Sequence, residues 1–274
     1  MIEKRPAPKG RVLVIAGSDS GGGAGIQADI KAVMAMGGYA MTAITAITVQ
    51  DTTGVHDVHP VPLETVRRQI GACLRDIGAD TIKTGMLATA ELVELAADAL
   101  DMRAPGVPRI IDPVMVASSG DRLIDERAVE ALSTHLLPGA HLLTPNAPEA
   151  EVLTRETVDG VDGQRRAAES LLERGAEAVL VKGGHIPGRT ITDVLQTPQG
   201  EWIFESERIV TTSTHGTGCT LASAIAGLIA QDIPLNEAVE TARDYLNGAI
   251  RTAKGFGQGH GPVNHSWQMS GHDG

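Results

Sequence analysis

Short runs of β-branched and aliphatic residues alternate along the chain with longer stretches whose apolar positions recur every three or four residues. Residues 11–17, Arg-Val-Leu-Val-Ile-Ala-Gly, read as a strand. Residues 25–36 read as a helix with Ile26, Ile30, Val33 and Met34 on one face. The Thr- and Ile-rich run 41–49 predicts a second strand, and 62–76 a helix that aligns Leu63, Val66, Ile70 and Leu74. Further short strands are expected at 81–84, 109–112, 141–144 and 178–182, with helical stretches at 91–100, 126–136 and 164–174 between them. Runs at 190–196 and 201–205 flank Gly200 and predict a hairpin. Helices at 219–230 and 236–252 follow, and the Gly- and His-rich stretch 256–274 is expected to be irregular or frayed. Strands alternating with helices imply a three-layer α/β/α fold with a mostly parallel central sheet. The expected organisation is a flexible tail over 1–10, a single domain over 11–264 and a second tail over 265–274.

Ligands of such sheets bind beyond the carboxyl ends of the strands. Polar and glycine residues collect at those ends here. Strand one runs into Gly17-Ser18-Asp19-Ser20-Gly21-Gly22-Gly23, and strand two into Gln50-Asp51. The others run into Gly85-Met86, Asp112-Pro113, Thr144-Pro145-Asn146 and Lys182-Gly183-Gly184-His185. One extended site along one edge of the sheet is therefore expected.

The densest chemistry lies at 214–221, Thr-His-Gly-Thr-Gly-Cys-Thr-Leu, directly before a long apolar helix. A helix N-terminus offers unpaired N–H groups and partial positive charge, a natural seat for an anion. Gly216 and Gly218 let the backbone approach that anion closely. Cys219 stands in the first turn, where a thiol is expected to ionise more easily than in water. An anion cradle holding an acid–base group points to phosphoryl or acyl transfer.

Composition removes several other classes. The formal net charge is −11, so the basic footprint of a nucleic-acid binder is missing. Aromatic residues make up 2%, which leaves few rings for base stacking. Two cysteines, Cys73 and Cys219, make no disulfide framework and fit a reducing compartment. Residues 12–16 are too short for a signal-peptide core, and no stretch reaches membrane-spanning length. A soluble, cytoplasmic protein is expected. His185, His215 and His260 lack metal-ligand spacing and read as loop hydrogen-bonding groups. Neither a G-x-S-x-G elbow nor a G-x-x-x-x-G-K-[ST] loop is present.

Gly23-Ala24-Gly25-Ile26-Gln27-Ala28 fits the outline of a dinucleotide fingerprint, with Asp51 after the next strand. Yet this loop is longer than a tight fingerprint turn, and a dehydrogenase leaves the glycines at 216–218 without a role. Phosphoryl transfer ranks above it. Asp29 lies beside the inward stripe of its helix, where a carboxylate is costly to bury alone. It either reaches water at the edge of the stripe or hydrogen-bonds a ligand amine or hydroxyl. Gln50 either bonds local backbone or pairs with a heteroaromatic ring that shows both donor and acceptor. Asn146 and Glu149 fit a capping box and also fit a Mg²⁺–phosphate site with Asp112, and the two roles are compatible. Lys182, ending a buried strand, reads as a phosphate counter-ion.

Taken in order, seven of these stretches resemble the bacterial hydroxymethylpyrimidine/phosphomethylpyrimidine kinases of thiamine biosynthesis. They are Gly17-Ser-Asp-Ser-Gly-Gly-Gly-Ala-Gly-Ile-Gln-Ala-Asp29, Ile44-Thr-Ala-Ile-Thr-Val-Gln50, Lys83-Thr-Gly-Met-Leu-Ala88, Asp112-Pro-Val-Met115, Leu143-Thr-Pro-Asn-Ala-Pro-Glu-Ala150, Val181-Lys-Gly-Gly-His185 and Thr214-His-Gly-Thr-Gly-Cys-Thr220. The tail Gly259-His-Gly-Pro-Val-Asn264 is similar as well. The resemblance spans 11 to about 264. It implies a ribokinase-like fold and two ATP-dependent phosphorylations, of 4-amino-5-hydroxymethyl-2-methylpyrimidine and then of its monophosphate. By position it implies that Gln50 and Asp29 hold the pyrimidine, with Met86 and Val114 near the ring. Asp112, Asn146 and Glu149 would organise Mg²⁺ and its waters, and Lys182 would meet ATP phosphates. Gly216, Thr217 and Gly218 would form the anion hole and Cys219 the base, where related sugar kinases carry aspartate. A homodimer is also implied. Many relatives carry proline where this chain has Ser20. The nearest rival reading is a pyridoxal or pyridoxine kinase of the same superfamily.

Overall fold

The structure, a computed structural model, describes residues 7–116, 120 and 123–269. The first strand, β1 (Arg11–Asp19), explains the architecture. Leu13 and Ile15 turn into one apolar cluster, and Val12, Val14 and Ala16 into another on the opposite face. Side chains that alternate between two cores require layers on both sides of the sheet. α1 (Gly25–Ala35) returns the chain to β2 (Tyr39–Gln50), parallel to β1. A short edge strand, β3 (Val55–Pro60), pairs antiparallel with β2. After α2 (Leu63–Asp76) the chain crosses β1 to form β4 (Thr81–Thr84) on its other side. That reversal of direction, between β2 and β4, opens a crevice at the carboxyl ends of the strands.

Three parallel strands continue the sheet: β5 (Arg109–Ile111), β6 (Leu142–Leu143) and β7 (Val179–Val181). The antiparallel hairpin β8 (Thr190–Thr197) and β9 (Gly200–Glu207) closes the far edge. Among the described residues the order is β3-β2-β1-β4-β5-β6-β7-β8-β9 in one sheet. On one face lie α2, α3 (Ala90–Arg103), α4 (Glu126–Ala131), α5 (Ala147–Thr154) and α6 (Val161–Glu173). On the other lie α1, α7 (Thr217–Ile229) and α8 (Leu235–Arg251). α7 is buried continuously from Thr220 to Leu228, as its unbroken apolar run demands.

Four features depart from the sequence expectation. β3 was not expected, because five of its six residues are exposed and carry no alternation. The helix expected at 126–136 becomes a π-helical turn over Leu132–Leu136. Residues 7–10 do not form a free tail: Lys9 N donates to Gly37 O at 2.9 Å. The end of the chain does not fray at 265. Tyr245 Oη donates to the His265 carbonyl at 2.8 Å, Trp267 Nε1 donates to the Tyr245 carbonyl at 3.0 Å, and the two rings stack with centroids 6.4 Å apart. The outermost parts of both expected tails, 1–6 and 270–274, lie outside the described residues. No described helix is long and apolar enough to cross a membrane.

Candidate active site

Two glycine loops meet at the mouth of the crevice, and one carboxylate ties them together. Asp19, buried at the end of β1, accepts from the N–H groups of Gly21 (2.7 Å), Gly23 (2.9 Å) and Ala24 (2.8 Å). Its Oδ2 also meets His215 Nε2 at 2.9 Å. Burial alone would raise this carboxyl, but His215 and the N–H groups outweigh it and hold it below its ordinary range. Gly216 follows with φ +77°, and a Cβ there would fall inside the van der Waals shell of the Gly23 carbonyl oxygen. Only glycine permits this left-handed corner and close approach. The corner swings the chain into the first turn of α7, where Thr217 N donates to Thr214 O at 3.4 Å and the Gly218 and Cys219 N–H groups precede the first intrahelical bond, Thr220 N to Gly216 O at 2.9 Å.

The second wall comes from β5, β6 and β7. A Cβ on Gly218 would stand 3.4 Å from Lys182 Nζ and 3.9 Å from Asp112 Oδ2, so the α7 N-terminus, Lys182 and Asp112 face one space. Lys182 Nζ lies 3.2 Å from Asp112 Oδ1, which also accepts from Thr144 Oγ1 at 3.1 Å. Asp112 Oδ2 is buried without a hydrogen-bond partner. Asn146 caps α5: its Oδ1 accepts from Glu149 N at 2.9 Å, and Glu149 Oε2 accepts from Asn146 N at 2.8 Å. The capping box is therefore real, and it fixes Glu149 beside Lys182 and Asp112. Burial pushes the Glu149 carboxyl up to about 7, with the Asp112 charge adding and the Lys182 charge opposing.

On the β2 side, Gln50 is half-buried and its Oε1 accepts from Thr48 Oγ1 at 3.1 Å. Ser20 Oγ donates to Gln50 O at 2.7 Å and accepts from Gln50 N at 2.9 Å. The serine that departs from the resembling kinases thus holds both backbone groups of Gln50 as a proline could not. Met86 is buried, and its Cε would stand 2.6 Å from a Cβ on Gly17, so Gly17 gives it room. Val114 is half-buried in the turn where its N donates to Asp112 O at 2.8 Å. Gln50 also reaches the second glycine loop indirectly. Thr52, two residues on, carries His260 N on its carbonyl at 2.7 Å, while His260 Nδ1 meets Thr214 Oγ1 at 3.2 Å.

Two expectations change. Asp29 does not reach water at the edge of its helix stripe. It is fully buried in α1, with Oδ1 accepting from Lys83 Nζ at 2.9 Å and from Ser223 Oγ at 2.6 Å. Its Oδ2 has no hydrogen-bond partner. The second correction concerns Cys219, which is not easily ionised. Burial pushes its thiol up to about 12, and the charges of Asp29 and Asp112 add to that, against the opposing pull of Lys83. At the α7 N-terminus, desolvation and two carboxylates outweigh the helix dipole.

Lys83 itself carried no role in the sequence reading. It is fully buried in β4, between Asp29 and Asp112 Oδ2 at 4.0 Å. Burial opposes its charge, but the carboxylates hold it above its ordinary range. Its signal was a lysine inside the short strand Thr-Ile-Lys-Thr, where a charge survives only if paired. Asp19 and His215 were also missed as a pair, since 196 positions separate them.

A doubly covered, mostly parallel sheet with a helix N-terminus, a lysine and a carboxylate oxygen free of hydrogen bonds gathered at its strand ends is the arrangement of a ribokinase-like kinase. The sequence model of the phosphomethylpyrimidine kinase family matches residues 19–264, and the chain belongs to that family. It is 44% identical over 257 residues to the hydroxymethylpyrimidine/phosphomethylpyrimidine kinase of Bacillus subtilis, covering 93% of this chain and 94% of that protein. It is 48% identical over 263 residues to the thiamine biosynthesis bifunctional protein ThiED of Geobacter sulfurreducens. That match covers 96% of this chain, which spans only 53% of that longer protein. The crystal structure of an ADP complex of Bacillus subtilis pyridoxal kinase superposes with a TM-score of 0.88 at 35% identity, covering 95% of this chain and 99% of that one.

Proposed function

We propose that this chain transfers the γ-phosphoryl group of ATP to the hydroxymethyl oxygen of 4-amino-5-hydroxymethyl-2-methylpyrimidine. A second transfer, to the resulting monophosphate, gives the diphosphate used in thiamine biosynthesis. The carrying observation is the single space shared by the α7 N-terminus, Lys182 and the Asp112 oxygen that accepts no hydrogen bond. Phosphoryl transfer needs in-line positioning and charge neutralisation more than covalent chemistry. Lys182 neutralises nucleotide phosphates, and the N–H groups of Gly216, Thr217 and Gly218 receive the moving phosphoryl oxygens without reorganising. Asn146, whose side-chain oxygen is spent on the cap, places Glu149 at the phosphates. Gln50 pairs with the pyrimidine edge, and Met86 and Val114 flank the ring.

The donor set fits Mg²⁺, which is bound by one or two carboxylates together with substrate phosphates and water. Asp112 Oδ2 is an open, buried carboxylate oxygen, and Glu149 lies beside it. When bound, the ion supplies charge neutralisation across the transferring phosphates. Cys219 is a thiol before nucleotide arrives. Neutralising Asp112 would remove one of the two carboxylates that hold its proton on, so that the thiol could release that proton to water and the thiolate, with Lys83 as counter-charge, could then take the hydroxymethyl proton late in transfer. Exposed Ile47 and Val49 on β2, with Val58 on the edge strand β3, support a homodimer through that end of the sheet, and the thiamine pathway reading supports a cytoplasmic location.

The test incubates the protein with ATP and the hydroxymethyl pyrimidine and follows mono- and diphosphate by mass. Both products are expected. A kcat/KM for pyridoxal above that for the pyrimidine would overturn the assignment in favour of a pyridoxal kinase, the activity named for the Bacillus subtilis structural relative.

A further inference from the structure

The loop that delivers Lys182 to the crevice runs from 182 to 189 and reads Lys-Gly-Gly-His-Ile-Pro-Gly-Arg. Three glycines leave it with little intrinsic shape, and only Ile186 packs against the apolar core. Its outer side is held instead by one side chain that directly follows β9. Arg208 Nη1 donates to the Gly184 carbonyl at 2.8 Å, Nη2 to the Ile186 carbonyl at 2.5 Å and Nε to the Gly188 carbonyl at 2.7 Å. Every nitrogen of the guanidinium is spent on the loop. Arg208 N also donates to Arg189 O at 2.7 Å, which seats the arginine at the loop's far end.

A planar fork fixes three carbonyls as a set, which a flexible ammonium does not. From the inner side, buried Asp193 accepts Gly183 N at 2.7 Å and is itself held by Arg243 Nε at 2.7 Å. The loop is clamped from both sides, directly after the lysine. A Cβ on Gly184 would meet nothing within 4 Å, so the surface of this clamped loop is open to a ligand. The positive field of Arg208 extends there too. Desolvation first, then the charges of Lys182 and Arg208, hold the His185 imidazole below its ordinary range.

We infer that Arg208 is a positioning residue for the nucleotide half of the site. It shapes the 183–188 loop so that Lys182 and the loop backbone meet ATP phosphates, and it does not act on the acceptor alcohol. This inference rests on the kinase reading given above.

The experiment compares the wild type with Arg208→Ala, Arg208→Gln and Arg208→Lys. It measures KM for ATP, KM for the hydroxymethyl pyrimidine, Kd for ADP and Tm. KM for ATP and Kd for ADP are expected to rise about tenfold in the Ala and Gln variants, the scale of one lost charge-assisted interaction. KM for the pyrimidine stays within about twofold, and Lys restores part of the loss because it keeps charge without the fork. An unchanged KM for ATP overturns the inference, as does an equal rise in both KM values, which would mark a merely structural role. Where Arg208→Ala does not fold, the neutral, similarly sized Gln variant decides. A wild type that phosphorylates nothing overturns the kinase reading alone, and Kd for ADP then decides the role of Arg208.

Discussion

Lys83→Met removes the cation from the floor of the crevice while keeping much of the side-chain volume. In the wild type, Lys83 Nζ sits 2.9 Å from Asp29 Oδ1 and 4.0 Å from Asp112 Oδ2, with all three side chains buried. Asp112 keeps Lys182 at 3.2 Å when Lys83 is lost. Asp29 keeps only Ser223 Oγ, on the same oxygen, and its Oδ2 has no partner in either state. The variant therefore strands one buried carboxylate. Breaking a buried pair from one side costs about 3–5 kcal/mol, because the remaining charge stays desolvated. For a chain of this size each kcal/mol moves Tm by about 2 °C, so a fall of about 6–10 °C is expected. The double variant Lys83→Met/Asp29→Leu removes both charges and is expected to recover most of that loss, since apolar replacement of a whole buried pair is close to neutral. Thermal unfolding followed by circular dichroism, with urea titrations at equal m-value, measures both. A Lys83→Met variant within about 1 kcal/mol of the wild type would refute the reasoning. So would a double variant less stable than Lys83→Met.

Three further outcomes follow from the geometry. Gly216→Ala puts a Cβ against the Gly23 carbonyl at φ +77° and forces the two glycine loops apart; kcat in a coupled kinase assay should fall by about 100-fold, the scale of losing one preorganised anion donor. Glu149 keeps its proton up to about 7 in the folded state, against 4.5 for a free glutamate. The native state thus holds the extra proton between those values, and stability falls as pH rises through that window, by about 3 kcal/mol in total. Urea unfolding at a series of pH values should show that slope in the wild type and lose it in Glu149→Gln. Trp267→Ala removes the ring stacked on Tyr245 and packed over Gly248, and should cost about 3 kcal/mol, read as a lower Tm; no change would mean that the end of the chain is not docked in solution.

Most of the layering was legible because it follows from local periodicity. Val12 to Ala16 alternate between two cores, and α7 is buried on all sides, just as an unbroken apolar run requires. The strand-end motifs were legible too, since a parallel sheet delivers all its carboxyl ends to one edge. β3 was invisible because an exposed edge strand needs no apolar face, only the ladder it makes with β2. The docked end of the chain was hidden behind a Gly- and His-rich composition. Its few anchors, Val263, His265 and Trp267, matter only beside α7 and α8.

The sequence by itself determined which strands run through the middle of the molecule, where the glycine corners fall and which kinase family the chain resembles. Those properties depend on neighbours a few residues apart. Only the tertiary structure decided which charges face each other: Asp29 with Lys83, His215 with Asp19, and Arg208 with the loop behind Lys182. It also decided that Cys219 keeps its proton, against the expectation drawn from a helix N-terminus alone. The physical reason is common to all four. Ionisation and burial are sums over every group within a few ångströms, and in a parallel sheet those groups come from strands far apart in the chain.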